Sequence, residues 1–124
     1  MQEDFEKVAS LCRHGNYNQL EEIINYNAEC NFTHMINACT DITSGNTLLH
    51  ISAQNGHKRV AKLLLRNGAA INTQNSHGQT VLHFAFAYNF TDLGEYLVSK
   101  GADDSLLNES GLTCYEGLNP DAIS

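Results

Sequence analysis

Thr47-Leu48-Leu49-His50-Ile51-Ser52-Ala53 and Thr80-Val81-Leu82-His83-Phe84-Ala85 stand 33 residues apart and share threonine, leucine and histidine in phase. The interval extends in both directions. Gly45, Gly78 and Gly111 are spaced by 33, as are Thr47, Thr80 and Thr113, and the pairs Gly68/Gly101 and Ala69/Ala102 keep the same step. A fixed period of this size marks an array in which each unit buries its apolar face only against a neighbour. The first unit diverges. Asn27-Ala28-Glu29-Cys30-Asn31 matches Gly68-Ala69-Ala70-Ile71-Asn72 at an offset of 41, implying eight extra residues at about 32–39.

Each unit reads as two short helices and a loop. Thr47 can cap a helix running to about Gln54, because its hydroxyl can accept from first-turn N–H groups. Asn55-Gly56 breaks that helix, and a second spans His57 to about Asn67. On it Val60, Leu63 and Leu64 form a one-sided apolar stripe. Leu93, Tyr96 and Leu97 repeat the stripe in the third unit, and Leu20, Ile23 and Ile24 in the first. Gly68 and Gly101 sit where a left-handed C-terminal cap is wanted. Gly94, inside the third unit's second helix, is expected to cost about 1 kcal/mol relative to alanine.

These motifs resemble the ankyrin repeat family, whose period and Thr-Pro-Leu-His-x-Ala signature they match. The match is strong over 42–110, degenerate over 1–31, and covers only the opening of a fourth unit. Leu48, Val81 and Cys114 replace the signature proline, and Glu116 replaces the histidine in the last unit. The resemblance implies an all-α ankyrin-repeat solenoid of stacked helix-turn-helix units. Its divisions are a first repeat at about 1–41 with the insertion at 32–39, a second at about 42–74, a third at about 75–107 and a truncated capping repeat at 108–124. It also implies that His50 and His83 are buried and hydrogen-bonded within and between units.

Family members bind proteins and perform no chemistry, so the resemblance implies a protein-protein interaction scaffold. The docking face it implies is concave, formed by helix edges and loop tips: Thr43, Ser44, Asn46, Gln54 and Asn55, then Ser76, His77, Gln79 and Tyr88, then Glu109, Ser110 and Leu112. Tyr88 is either an exposed aromatic anchor or a residue packed on the neighbouring helix pair. In the insertion, Phe32, Met35 and Ile36 either protrude as a partner-binding finger, fold back over the first unit, or belong to a disordered loop. Asn31 and Asn72 resemble asparaginyl-hydroxylase targets, lying eight residues after Ile23 and Leu64; Glu29 improves the match at Asn31. A structural or assembly role, through docking in a larger complex or self-association, is the alternative.

Composition bounds these readings. The 124 residues carry 7 Lys+Arg against 14 Asp+Glu, a formal net charge of −7, with 42% hydrophobic and 17% charged residues. This suits one folded soluble domain able to bury a core. The sign of charge disfavours nucleic acid, and no apolar run reaches membrane-span length. Charge is uneven: residues 1–41 are net −5, residues 42–91 carry Lys58, Arg59, Lys62 and Arg66 with no acid, and residues 92–124 are net −6. Lys58, Lys62 and Arg66 share one helical face, read as a solvated surface, as a site for an acidic partner, or as a site of weak self-association through the acidic ends. The acidic N-terminus is unlike a secretory signal, so Cys12, Cys30, Cys39 and Cys114 are expected as reduced thiols of a cytoplasmic protein, with nuclear entry left open. Cys30, His34 and Cys39 would make a zinc site only if His14 or Cys12 supplied the fourth ligand from another element. Phosphate-loop, nucleophile-elbow and zinc-protease motifs are absent. No enzyme activity, metal, cofactor or small-molecule substrate is expected, and a monomer is expected over a homo-oligomer.

Overall fold

The computed structural model describes residues 2–26, 35–37 and 40–116. Within them lie α1 (Gln2–His14), α2 (Tyr17–Tyr26), α3 (Leu48–Gln54), α4 (Lys58–Arg66), α5 (Val81–Ala87) and α6 (Thr91–Ser99), with a further helical turn at 35–37 and no strand among the described residues. Each helix pairs with the next as α1–α2, α3–α4 and α5–α6. Between pairs, α1 packs on α3 and α3 on α5, while α2 packs on α4.

Sequence chemistry decides where each pair begins and turns. Thr47 and Thr80 have extended backbones, and their hydroxyls accept from the N–H groups of His50 and His83; the imidazole returns the bond to the threonine N–H. This reciprocal cap satisfies donors that a short helix would otherwise leave orphaned. The turn inside each pair needs a left-handed residue. Gly15 and Gly56 supply it with φ of 70° and 73°, and Asn89, at the equivalent place, adopts φ 65°. Asparagine is among the few side chains that tolerate this region. Space matters as well at Gly56, because a Cβ there would stand 2.6 Å from the Phe90 ring of the next unit.

The apolar stripes merge into one seam. Leu49, Leu64, Leu82 and Leu97 are each at most 1% exposed, and a continuous core runs from Phe5 through Leu20, Val60 and Val81 to Cys114. The expectation for Gly94 needs correction. It is buried, and a Cβ there would lie 2.5 Å from the Phe86 ring, so glycine makes room for the neighbouring helix. Helix propensity loses to packing at this position.

Candidate functional site

Three loops stack beside the helices. Asp41, Asn75 and Asn108 each start a loop by accepting backbone N–H groups two to four residues ahead. Backbone bonds close the loops from Asp41 to Asn46, Asn75 to Gln79 and Asn108 to Leu112. The first loop therefore holds one residue more than the other two. Successive loops are tied by Ser76 N–H to the Ser44 carbonyl and Glu109 N–H to the His77 carbonyl, at 3.0 and 2.8 Å. Side chains continue the ladder from Asn75 to Asn46 at 2.7 Å and from Asn108 to Gln79 at 3.4 Å. At the Asp41 loop, the Ser44 and Thr43 donors hold the carboxyl down at about 2.

The two motif histidines join the loops to the helices. Nε2 of His50 donates to the Gln79 carbonyl at 2.8 Å, and Nε2 of His83 donates to the Leu112 carbonyl at 2.9 Å. Both Nδ1 atoms accept from the capping threonines. Each ring is thus a neutral tautomer spanning two units, as the resemblance implied. Burial lowers the His50 pKa, partly countered by the Gln79 carbonyl. No buried side-chain polar atom among the described residues lacks a partner.

The inner surface of α3 and α5 lies beside this ladder. Tyr88 is 51% exposed at the end of α5, its ring inclined against Phe84 and its hydroxyl accepting from Gln54 at 3.4 Å. Phe84 in turn meets the His50 ring edge-on at 5.5 Å. Of the residues the sequence nominated, Thr43, Ser76, His77, Glu109 and Ser110 are exposed at the loop tips, and Asn55 and Tyr88 at helix ends. Ser44, Asn46, Gln79 and Leu112 are half-buried and largely committed to the ladder; Gln54 is half-buried against Tyr88. His77 and Glu109 pair across adjacent loops at 2.9 Å. Sequence reading missed Phe84 and Ile42. Phe84 stands four residues before Tyr88 on the same helical face, a spacing that could have found it. Ile42, at the tip of the longer first loop, is 79% exposed.

The insertion is only partly described. Ile36 is buried and Met35 packs against the core, so neither protrudes, and the adjacent Asn37 bonds to Gly68 and Ala70 of the second unit; Phe32 lies outside the described residues. Asn31, Cys30, His34 and Cys39 also lie outside them, and no metal-ligating cluster occurs within them. Asn72 is exposed, its side-chain oxygen accepting from Asp103 N–H at 2.7 Å. The matching bond one unit earlier, to Ala70 N–H, is made by Asn37 at 2.8 Å. By this register Asn37, rather than Asn31, is the first unit's counterpart of Asn72, and most of the extra residues precede it. Cys12 and Cys114 are free and buried; burial pushes their thiols up to about 12 and about 11, with the Asp104 carboxylate assisting at Cys114. No helix among the described residues is long and apolar enough to cross a membrane.

Comparison with known proteins agrees with this geometry. The chain is similar to human protein phosphatase 1 regulatory subunit 27, 33% identical over 89 residues, covering 72% of this chain and 58% of that protein. It is 35% identical over 68 residues to a putative ankyrin repeat protein of fowlpox virus, covering 55% of this chain and 16% of that one. It is 31% identical over 80 residues to mouse protein phosphatase 1 regulatory subunit 12A, covering 64% of this chain and 8% of that one. The chain thus spans a little over half of the first of these relatives and far less of the others. A family model for ankyrin repeats in three copies matches residues 8–108, and the chain belongs to the ankyrin repeat family.

Proposed function

We propose that this chain is a non-catalytic module whose protein partner lies along the inner surface of α3 and α5 and across the loop tips. Ankyrin repeats are protein-interaction modules, and two of the relatives are named as regulatory subunits of protein phosphatase 1. The observation that carries the reading is Tyr88. It presents a half-exposed ring held by Phe84 and Gln54 beside a rigid row of polar tips, and an ordered amphipathic side chain of this kind contributes contact area at little entropic cost. A cytoplasmic setting accords with the free thiols of Cys12 and Cys114.

Tyr88→Ala combined with His77→Ala tests it. Capture from native cells with this chain as bait, quantified by mass spectrometry and with protein phosphatase 1 as the first candidate, should fall at least tenfold for the specific partner at unchanged helicity. Undiminished capture by the folded variant places the interface elsewhere. Assembly on a second copy is the alternative; a particle size that stays monomeric at low and high salt removes it. Modification at Asn72 or Asn31 predicts a 16 Da addition in the intact mass from native cells.

A further inference from the structure

The outer surface carries a cluster that the inner-face reading does not use. The nitrogens of Lys58, Lys62 and Lys100 stand 5.4, 4.8 and 5.7 Å from the centre of the Tyr96 ring. Towards the first unit, Arg59 stacks over Tyr17 at 4.1 Å and Arg66 donates to the Tyr17 hydroxyl at 3.0 Å. Three of the four cations of α4 therefore lie over aromatic rings of the two neighbouring units, and the fourth, Arg66, reaches the hydroxyl of one of them. A ring attracts a cation without neutralising it, so the charge persists. Among the described residues no lysine or arginine forms a salt bridge with a carboxylate. Of the acids on the neighbouring helices, Glu21 accepts from the Tyr17 hydroxyl, and Asp92 lines a hollow together with Lys58.

The shape fits the charge. The helices α4 and α6 are not among the closely packed pairs, and an open cleft of about 340 Å³ lies between them. Its walls are Leu65, Ala69, Ile71 and Tyr96, and its rim is Lys62, Arg66 and Lys100. In a chain of net charge −7, three ammonium groups gathered around one ring repel each other and gain from an anionic partner. An apolar floor inside a cationic rim suits a peptide better than an inorganic ion.

We propose that this cleft is a second docking surface, independent of the inner face, which takes a carboxylate-rich segment of a partner protein with an apolar side chain seated between Ile71 and Tyr96. The probe is a glutamate-rich peptide with a central phenylalanine, titrated at low salt into the isotope-labelled intact chain and followed by NMR. Shifts should concentrate at Leu65, Ala69, Ile71, Tyr96 and Lys100. Affinity should fall about tenfold in Lys62→Gln/Lys100→Gln and fall again with added salt, while Tyr88→Ala leaves it unchanged. Lys100→Gln alone, at an exposed site beyond the end of α6, should give a smaller loss without touching the fold. The proposal is overturned by equal binding of a glutamine version of the peptide, by unchanged affinity in both lysine variants, or by shifts centred on the loop tips. Tighter binding of the same face to phosphatidylserine vesicles would overturn it too.

Discussion

His50 accepts from Thr47 at Nδ1 and donates to Gln79 at Nε2, an arrangement available only to the neutral ring. Protonating Nδ1 would set an N–H against two donors inside a buried site. Burial therefore keeps the folded pKa below the ordinary 6.5, and the unfolded chain binds the proton more readily. Stability from this residue is complete above about pH 6.5 and drains away as the pH falls towards the folded value. Asp41, held down at about 2, adds a second loss from about pH 4 downward, and its exposure keeps that contribution small. Chemical denaturation measured from pH 8 to pH 5 should show a stability decline beginning near pH 6.5. His50→Gln, which does not titrate, should be less stable at pH 8 yet show a shallower decline. An unchanged slope in the variant would assign the pH dependence to other groups.

Gly94 decides how the helices of the last pair approach. Alanine is the better helix former by about 1 kcal/mol, so a view confined to α6 makes Gly94→Ala stabilising. The added Cβ would instead meet the Phe86 ring at 2.5 Å, and that ring is backed by Tyr115 at 5.2 Å between centroids. Overpacking of this kind typically costs about 1–3 kcal/mol, so Gly94→Ala should lower the denaturation midpoint. Phe86→Leu in the same chain should recover part of that loss, a coupling measurable in a double-mutant cycle. The contrast shows what was legible in the sequence. Periodicity and capping act within a few residues, so Thr47, Thr80 and the leucine stripes could be placed from spacing alone. The contact of Gly94 with Phe86, the bond of Asn37 to Ala70, and the lysines around Tyr96 each join different elements, and linear pattern carries no direct record of such distances. The candidate inner face was legible through resemblance, but which of its members are tied up in the loop ladder was not.

Stacking makes the stability of the molecule a property of its interfaces, because each helix pair leaves an apolar face for the next. The short segment after the third unit is then more than a tail. It supplies Leu112, whose carbonyl takes the His83 bond, Glu109, whose N–H ties to His77, and the buried Cys114. Tyr115 lies against Phe86, and its hydroxyl donates to Asp104, a bond that pushes the phenol up to about 12. A chain ending at Leu107 would open Phe86 and the end of α5 to water and leave His83 Nε2 without its carbonyl. Losing a buried hydrogen bond and uncovering a large side chain together cost on the order of 2–4 kcal/mol. For a domain of this size each kcal/mol moves the thermal midpoint by about 4 °C. Calorimetry should therefore find the shortened chain melting at least about 8 °C lower. The transition should stay single, since the remaining units still share one seam. A midpoint within about 2 °C of the full chain would show that the third unit ends the array by itself, and a second resolved transition would show that the units fold independently.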